Sequence, residues 1–501
     1  MLDLAFRPDP GAAAPLYRQL ADFLAALIAA GRLRPGERVP PSRELAEGLG
    51  LSRNTVGRAY DTLAAAGLLH AHVGRGSFVS ALGRPAHARS AGGAPAEPDF
   101  AWPALFARSA RELRPPAGLR PCDPDEALRF DFRPGQVDAA ALPIAALQAA
   151  WQRALGGRLR AHANDVDLLG LPALRAAIAR ALGARGIACG AQEILLTAGA
   201  QQALDLVART LVEPGDTVVM EDPGYFGAAL VFRAAGAHLV GVGVDQEGLR
   251  VDELARILRG RRVKLLYTTP AVQLPTGVAL SEPRRAALLE LAHREQLPIL
   301  EDDYDCELRL GGPAAPALKT DDARRQVIYA GTFSKALFPG LRLGYLVAAP
   351  ALLGALALRR FAASFQPSLV DQLALSDLLS GDTLERHVRK VRRHYAERVR
   401  AMRAALAEAM PAGARIGDPA GGSTVWVELP GEVDVAALAA AARERGIGYG
   451  PGEAFRLDGG GPPSLLLSFA VETPDAIRRG VAELGRLVRA ARLGGRRAAS
   501  G

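Results

Sequence analysis

The chain has 501 residues, 49% of them hydrophobic, so it is long enough for two domains and a large apolar core. Its formal net charge of +8 suits a polyanionic partner, although the charge is spread along the chain and could reflect the composition of the genome. Three scattered cysteines are too few for a disulfide framework or a zinc site, and the eight histidines show no metal-ligand spacing on an evident shared helix. Without a signal peptide or an uncharged apolar run of membrane-spanning length, we expect a cytoplasmic protein that binds no metal.

Three short helices are predicted in the first 67 residues. An apolar periodicity covers residues 16–30 and stops at a glycine. Two further helices are predicted at 43–49 and 53–66, because Ser42 and Ser52 before them can accept hydrogen bonds from helix N–H groups and a glycine follows each helix. The tight turn between these two helices is typical of a helix-turn-helix.

Two features extend this interpretation to DNA binding. Arg53, Asn54 and Thr55 fall on the first turn of the third helix, where recognition helices place base-reading side chains. Residues 68–79 predict two strands around a basic glycine turn that contains Arg75. A small helical oligomerisation module with a solvated arginine face is the alternative, since this part of the chain also carries acidic residues.

A flexible linker is predicted at residues 81–128. This segment is rich in alanine, glycine, proline and arginine and shows little periodicity, apart from a short helix expected within 102–113. We therefore expect a first domain at residues 1–80 and a second, larger one at residues 129–501.

In the larger domain, two strands are followed by residues suited to a ligand site. The first turns at Gly199 into a helix whose first amides, near Ala200 and Gln201, are placed to meet a phosphate. A single glycine is weak evidence for this, and an ordinary turn is the alternative. The second strand is followed by Tyr225, whose ring could stack on a cofactor or simply pack within its loop.

A third strand, predicted at 297–300, runs into four carboxylates and a phenol within residues 301–305. The ends of strands are where α/β sheets keep their ligand sites. In a site for pyridoxal phosphate, a carboxylate faces the ring nitrogen and a phenol can bond the ring hydroxyl, and we assign Asp302 and Tyr304 to these roles. Taken alone, the acidic run could equally be a solvated turn or a cation site.

Lys335 is the strongest chemical signal, because the chain has only four lysines against a large excess of arginine. An amine can form a Schiff base with a carbonyl cofactor, whereas a guanidinium cannot. Hydroxyls lie beside it at Thr332 and Ser334, and Arg342 follows seven residues later as a candidate phosphate ligand. An isolated Ser-Lys pair would favour a surface loop, but the acids upstream argue against that interpretation.

Residues from about 130 to 492 resemble the aminotransferases of fold type I, which bind pyridoxal phosphate on a large doubly wound α/β sheet with a smaller C-terminal α/β subdomain. The resemblance implies that Lys335 forms the Schiff base, Asp302 faces the pyridine nitrogen, Tyr304 the ring oxygen and Tyr225 the ring face. It further implies that phosphate is held by Arg342, Thr332, Ser334 and the amides near Ala200 and Gln201.

The first eighty residues resemble the winged-helix domain of the GntR regulators, a mostly helical α+β fold. The resemblance rests on Pro41-Ser42-Arg43-Glu44-Leu45-Ala46, on Leu51-Ser52-Arg53-Asn54-Thr55-Val56 and on Gly74-Arg75-Gly76-Ser77-Phe78-Val79. It implies DNA contacts from basic and polar side chains, namely Arg43, Ser52, Arg53, Asn54, Thr55 and Arg75, with Arg53 or Asn54 reading bases and the others mainly phosphate.

A winged helix fused to an aminotransferase-like domain resembles the MocR-type subfamily of GntR regulators. We therefore expect a transcriptional regulator that binds double-stranded operator DNA and, through Lys335, pyridoxal phosphate. The resemblance also implies a head-to-tail homodimer and an effector that is pyridoxal phosphate itself or an amine or amino acid. The alternatives are a catalytically active aminotransferase with an appended DNA-binding domain and a DNA-binding protein with a dead second domain.

Several positions depart from the aminotransferase pattern. The strand at 464–470 has leucine where an arginine usually forks onto the substrate carboxylate. Leu274 stands where an asparagine usually bonds the ring oxygen, which leaves Gln273 as a candidate for that bond. Asp165 replaces a phosphate-binding tyrosine, and Thr424 a histidine frequent in such regulators. We expect a retained cofactor site and an eroded amino-acid substrate site.

Overall fold

The computed structural model describes residues 6, 8, 14–29, 32–33, 36–65, 68–72, 76–79, 105–115, 128–305, 307–310 and 316–492. The chain divides into two compact units, residues 1–101 and 102–501. Most of the predicted linker, and the predicted wing turn with Arg75, lie outside the described residues.

The described residues of the first unit form three helices and a two-stranded antiparallel sheet. Its elements are α1 (Leu16–Ala29), α2 (Ser42–Leu49), α3 (Arg53–Ala65), β1 (Leu69–His72) and β2 (Gly76–Val79). The helices bury one apolar face each around a core whose members include Leu20, Leu24, Leu45, Val56 and Leu63. This is the predicted winged helix-turn-helix.

The beginnings of α2 and α3 differ from each other. Ser52 Oγ accepts a hydrogen bond from the Thr55 amide at 3.1 Å, so the predicted cap of α3 is present. Ser42, in contrast, is the first residue of α2 and follows Pro41, so the prediction that it caps this helix was wrong. Proline is well suited to a helix start because it has no N–H to leave unpaired.

The strands described in the second unit form two sheets. In chain order they are β3 (Phe130–Phe132), β4 (Ile194–Thr197), β5 (Thr217–Asp222), β6 (His238–Asp245), β7 (Gly248–Leu249), β8 (Leu265–Thr268), β9 (Ile299–Asp303), β10 (Val327–Thr332), β11 (Gly344–Val347), β12 (Arg415–Ile416), β13 (Thr424–Glu428), β14 (Ile447–Pro451) and β15 (Ser464–Ser468).

Helices cover these sheets. They are α4 (Arg108–Glu112), α5 (Ile144–Arg153), α6 (Leu159–His162), α7 (Pro172–Gly183), α8 (Ala200–Leu211), α9 (Phe226–Ala234), α10 (Val251–Gly260), α11 (Glu282–Glu295), α12 (Pro350–Ser364), α13 (Leu369–Ser380), α14 (Thr383–Ala409), α15 (Val435–Glu444) and α16 (Pro474–Ala490). A π-helical segment, Ala154–Arg158, joins α5 to α6. Short 3-10 turns occur at Ala139–Ala141, Ala191–Glu193, Leu318–Asp321, Pro339–Leu341 and Gly452–Phe455. No helix in the described part of the chain is long and apolar enough to cross a membrane.

The large sheet has eight strands in the order β4-β11-β10-β9-β8-β5-β6-β7. Strands β10, β9, β8, β5 and β6 pair in parallel, while β11 is antiparallel to both of its neighbours. Strands β4, β8, β9 and β10 are buried along their whole length, as expected when helices cover both faces of a parallel sheet. Helices α8, α9 and α12 pack on one face, and α5, α7, α10, α11 and α13 on the other. This confirms the predicted doubly wound fold.

The small sheet has the order β12-β13-β15-β14-β3. Four of its strands come from the C-terminal part of the chain, but β3 follows the predicted linker and pairs in parallel with β14, with Phe130 opposite Ile447. Phe130 and Phe132 are buried against α14 and α16 in the core of this subdomain. The predicted C-terminal subdomain is therefore completed by a strand from the beginning of the unit.

Candidate functional site

A cavity of about 660 Å³ lies in the second unit, between the two sheets. Its walls include the carboxyl ends of β9 and β10 and the loops that follow them, together with residues of β13, β14 and β15. A concave space of this size, at strand ends of an α/β sheet, suits a small-molecule ligand.

Nine of the eleven residues predicted from the sequence to hold a cofactor line this cavity. They are Ala200, Gln201, Tyr225, Asp302, Tyr304, Thr332, Ser334, Lys335 and Arg342. These residues follow or end β4, β5, β9 and β10, so the parallel course of those strands brings distant parts of the chain to one edge of the sheet. Gly199 and Gln273 are the two predicted residues that do not line the cavity.

Gly199 lies immediately behind the cavity and makes room for Arg342. Its φ of +84° is left-handed, and a Cβ at this position would lie 3.1 Å from Cζ of Arg342. Arg342 Nη2 donates to the Ala198 carbonyl at 3.0 Å, which holds the guanidinium beside the first residues of α8. The hydroxyls of Thr332 and Ser334 are 3.0 Å apart on the same wall. Helix amides, a guanidinium and hydroxyls together suit a phosphate group.

Asp302 is a buried carboxylate, and one of its oxygens has no hydrogen-bond partner. The Tyr267 hydroxyl donates to Oδ2 at 2.9 Å, whereas Oδ1 is buried without a hydrogen-bond partner. Burial raises the pKa of Asp302 to about 7; the Tyr267 bond opposes this shift, and the neighbouring charge of Asp303 adds to it. A buried, unpaired oxygen on a cavity wall is suited to a cationic N–H donor from a ligand.

Two other acids of the same run bond to the protein and do not line the cavity. Glu301 accepts hydrogen bonds from the amides of Leu318 and Lys319, at 2.7 and 2.9 Å. Asp303 accepts through Oδ2 from Arg185 and Tyr329, at 2.6 and 2.7 Å, while its Oδ1 is buried without a hydrogen-bond partner. Both acids lie within β9 and are buried, so the solvated turn considered for this run is wrong. Among the described residues, no three His, Cys, Asp or Glu side chains are arranged to hold a metal ion.

Asp305 is a site residue that the sequence did not single out. It lines the cavity with Lys335, and burial raises its pKa to about 6 while the charge of Lys335 opposes that shift. The Asp305 carboxylate is therefore an electrostatic partner for the Lys335 amine. The sequence offered only its place in the acidic run as a signal, and it offered none for Tyr267, which stands inside a β-strand.

The buried carboxyls predict that the ligand-free protein loses stability as the pH rises. Burial raises the pKa values of Glu301, Asp302 and Asp305 from 4.5, 3.8 and 3.8 to about 7, 7 and 6. The folded chain thus holds these protons more tightly than the unfolded chain does. The free energy of unfolding should therefore fall as the pH rises from the ordinary to the raised pKa values, and it should stay constant at higher pH. Melting temperatures at about pH 5 and about pH 8 measure this fall.

Two isosteric variants test the assignment of that pH dependence. Asp302→Asn should reduce the fall, because one of the tightly held protons is gone. Asp245→Asn is the control, since Arg284 lowers the pKa of the Asp245 carboxyl and its contribution is constant in this range. It should lower the melting temperature equally at both pH values, and an unchanged fall in Asp302→Asn would contradict our account.

Gln273 is buried in a turn and does not reach the cavity, contrary to its predicted role. Its amide nitrogen donates to the carbonyls of Pro223 and Leu274, each at 2.8 Å, and its oxygen accepts from the Thr276 hydroxyl at 2.6 Å. These bonds use the side chain to fix the loop after β8. Gln273 is therefore not placed to bond a ligand in the cavity.

The departures from the aminotransferase pattern fall in two places. Leu274, Thr424 and Leu466 line the cavity, and Leu466 is the cavity-lining leucine of β15, the strand that lacks the expected arginine. Asp165 does not line it; its carboxylate lies 2.7 Å from Nδ1 of His162. The cavity therefore keeps its cofactor-type residues at one wall and has apolar side chains at another.

In the first unit, α3 presents two exposed polar side chains at its beginning. Arg53 and Asn54 are exposed and make no hydrogen bond or ion pair within the described part of the unit. Ser52 and Thr55 bond to each other through their hydroxyls at 2.8 Å. Arg53 and Asn54 are thus available to a partner, whereas Ser52 and Thr55 also build the helix start.

The remaining predicted DNA contacts are less informative. Arg43 is exposed on α2 and pairs with Glu47 at 3.4 Å, a surface pair of small energetic weight. Arg75 lies outside the described residues. Arg58, not predicted as a contact, stacks 4.0 Å from the ring centre of Tyr17, which joins α3 to α1.

Comparison with known proteins assigns each unit to a family. The bacterial regulatory proteins of the gntR family match residues 16–79, and aminotransferase class I and II matches residues 136–484. The chain is 34% identical over 482 residues to the probable rhizopine catabolism regulatory protein MocR of Rhizobium meliloti, covering 95% of this chain and 94% of that one. It is 36% identical over 491 residues to the HTH-type transcriptional regulator TauR of Rhodobacter capsulatus, covering 96% and 98%.

Solved structures resemble the second unit. LysN, the α-aminoadipate aminotransferase of Thermus thermophilus, was solved with N-(5′-phosphopyridoxyl)-L-leucine; its TM-score is 0.72 at 31% identity, covering 78% of this chain and 99% of that one. The kynurenine aminotransferase of Pyrococcus horikoshii, solved with PMP, has a TM-score of 0.72 at 30% identity, covering 78% and 98%. Both relatives carry a pyridoxal-type group on this fold.

Proposed function

Because this chain belongs to the MocR-type subfamily of GntR transcriptional regulators, we propose that its aminotransferase-like domain binds pyridoxal phosphate and adjusts the affinity of the winged helix for operator DNA. The effector is pyridoxal phosphate itself or a small amine or amino acid that reaches the same cavity. The protein acts on double-stranded DNA, and we place it in the cytoplasm.

The unpaired Oδ1 of Asp302 is the observation that carries the cofactor proposal. A pyridine nitrogen that bears a proton would satisfy this oxygen, and the same cavity offers Lys335 as a primary amine. The first amides of α8, Arg342 and the two hydroxyls would hold the phosphate. When bound, pyridoxal phosphate supplies an aldehyde that reacts reversibly with primary amines.

Other cavity residues would position this group. Tyr225 donates to Gln201 Oε1 at 3.1 Å, which fixes its ring beside the beginning of α8, where it would lie on the cofactor ring. Burial raises the pKa of Tyr225 to about 12, so its hydroxyl stays protonated. Tyr304 would bond the ring oxygen as a neutral phenol, since burial also raises its pKa. Asp305 would balance the charge of the Lys335 amine.

We propose regulation rather than transamination as the physiological role. The cavity has Leu466 on β15 where an arginine would fork onto a substrate carboxylate, and Leu274 where an asparagine would bond the ring. Without that planar fork, an amino acid would not be oriented for turnover. Transaminase activity should therefore be weak or absent.

The protein is proposed to act as a homodimer, arranged head to tail. Several large apolar side chains of the second unit are exposed and would leave water if another copy covered them: Ile144, Leu155, Val166, Leu358 and Phe365. A two-fold dimer also suits a repeated or palindromic operator. A stable monomer that binds cofactor and operator at full affinity would refute this arrangement.

The test combines absorbance with an operator titration at fixed salt. Purified protein should gain an absorbance band of lysine-bound cofactor with pyridoxal phosphate, and its operator affinity or the bend of the DNA should change when cofactor and amine are added. The operator is a fragment selected from the region beside its own gene. Absence of the band would refute cofactor binding, and turnover of amino donors above roughly 1 per second would favour an enzyme.

Gly199→Ala should weaken the binding of pyridoxal phosphate without unfolding the unit. The new methyl group would press on the Arg342 guanidinium and would impose a left-handed φ on alanine, so the phosphate wall would be displaced. A cofactor titration followed by absorbance should show an affinity loss of roughly 10-fold, as for a strain of about 1–2 kcal/mol. Gly354→Ala is the matched control, because nothing lies within 4 Å of a Cβ there.

A further inference from the structure

Four cavity residues form an apolar wall: Phe226, Leu274, Phe455 and Leu466. They come from α9, the turn after β8, the 3-10 turn at 452–455 and β15. All four belong to one apolar cluster that also contains Trp426 of β13 and Ala454. The two leucines noted above as departures from the aminotransferase pattern are therefore parts of one surface.

Packing holds this apolar wall in a fixed shape. The rings of Phe226 and Phe455 meet edge to face with centroids 5.7 Å apart, and Phe455 meets Trp426 in the same way at 6.0 Å. Leu466 is fully buried opposite Trp426 in the register of β13 and β15. A wall built from packed rings and a central strand is a preformed surface for a ligand.

The apolar wall selects against anionic groups. A carboxylate or sulfonate pressed against it would lose water and gain no hydrogen bond, whereas an aryl or branched alkyl group would gain from leaving water. Of the other cations on the cavity, Arg133 donates to both oxygens of Asp131, and Arg342 bonds the Ala198 carbonyl. Arg443 of α15 also lines the cavity. The strand β15 itself supplies no cation to the cavity.

Resting on the proposed binding of pyridoxal phosphate at Lys335, we propose that the effector is a primary amine with a bulky apolar body. Its nitrogen lies at the Lys335 end of the cavity, and its aryl or branched alkyl group lies on the apolar wall. Short amines that end in a carboxylate or sulfonate are poor effectors. Leu274 and Leu466 are thereby specificity-determining residues of the cavity.

Matched amines test this specificity on the full-length protein loaded with pyridoxal phosphate. The change in absorbance of the bound cofactor is titrated with 2-phenylethylamine, ethylamine and taurine. The aryl amine should act at a concentration at least 10-fold below the other two, since a few methylene equivalents in an apolar pocket are worth roughly 10- to 200-fold each. A response to taurine at equal or lower concentration would overturn the proposal.

Variants of the apolar wall separate specificity from cofactor binding. Leu466→Ala should raise the concentration of 2-phenylethylamine needed by roughly 10-fold or more and leave the ethylamine response unchanged. Leu105→Ala, at an exposed leucine that does not line the cavity, is the matched control and should change neither response. If Leu466→Ala does not fold, Leu274→Asn serves instead, because Leu274 is only partly buried.

The outcomes distinguish this inference from the proposal on which it rests. If no variant and no wild-type sample binds pyridoxal phosphate, the proposed function fails and this inference fails with it. If all bind the cofactor but the wall variants respond to 2-phenylethylamine as wild type does, only the inference about the apolar wall is overturned.

Discussion

Lys335→Ala is expected to abolish the absorbance band of lysine-bound pyridoxal phosphate completely. No other lysine lines the cavity, and Lys319 is held by Asp322 and the Val327 carbonyl at 2.9 and 2.7 Å, so no second amine can take over. The phosphate and ring contacts remain, and residual cofactor would be held without a covalent bond. Absorbance after dialysis and quantification of retained cofactor measure the two effects.

The same variant tests whether the cavity controls DNA binding. Lys335→Ala should keep the operator affinity of the cofactor-free protein, because Lys335 belongs to a different compact unit from α3. It should lose the change in affinity that cofactor or amine produces, since a ligand shifts an equilibrium only through a difference in its binding to two states. Lys264→Ala, at a lysine near Asp216 and away from the cavity, is the control. A full response in Lys335→Ala would remove this lysine from the switch.

Arg53→Ala is expected to weaken operator binding by about 1–3 kcal/mol if the guanidinium makes a bidentate hydrogen bond to a base. Arg53 is exposed on the first turn of α3, where recognition helices enter the major groove, and it makes no ion pair within the described first unit. The absorbance of bound cofactor should stay the same. Operator titration at fixed salt gives the affinity, and an unchanged value would refute the assignment.

Arg53→Lys separates base reading from phosphate attraction. Lysine keeps the positive charge but lacks the planar fork, so the variant should remain weak on the operator and lose discrimination against a single-base change. Were Arg53 a phosphate contact instead, Arg53→Lys would bind nearly as well as wild type on both sequences, with an unchanged salt dependence.

Local sequence patterns are sufficient to predict those site residues that directly follow a recognisable strand. Lys335 is recognisable as one of only four lysines, and Asp302 belongs to an acidic run that follows an apolar strand, at the edge where parallel strands deliver ligands. Tyr267 is not recognisable, since its bond to Asp302 exists only because β8 and β9 are neighbours in the sheet. The order of strands in a sheet depends on contacts between distant parts of the chain, so it cannot be predicted from the sequence of one strand.

The roles of two other residues depend on contacts that cannot be predicted from the sequence. Gln273 is predicted to bond the ring oxygen, but its amide nitrogen donates instead to the main-chain carbonyls of Leu274 and Pro223. The leucine on β15 was noted as a loss of carboxylate binding. Its place in an apolar surface depends on Phe455 and Leu274, which lie beside it but belong to segments far apart in the chain.

The position of β3 has a mechanical consequence. Leu128, which lines the cavity, directly precedes this strand, and the amides of Arg129 and Phe130 both donate to the Gly446 carbonyl just before β14. A Cβ at Gly448 would lie 2.7 Å from Leu128, so the two segments are in close contact. We therefore expect a ligand that displaces β14 to displace Leu128 and β3 with it, through main-chain bonds rather than through side chains.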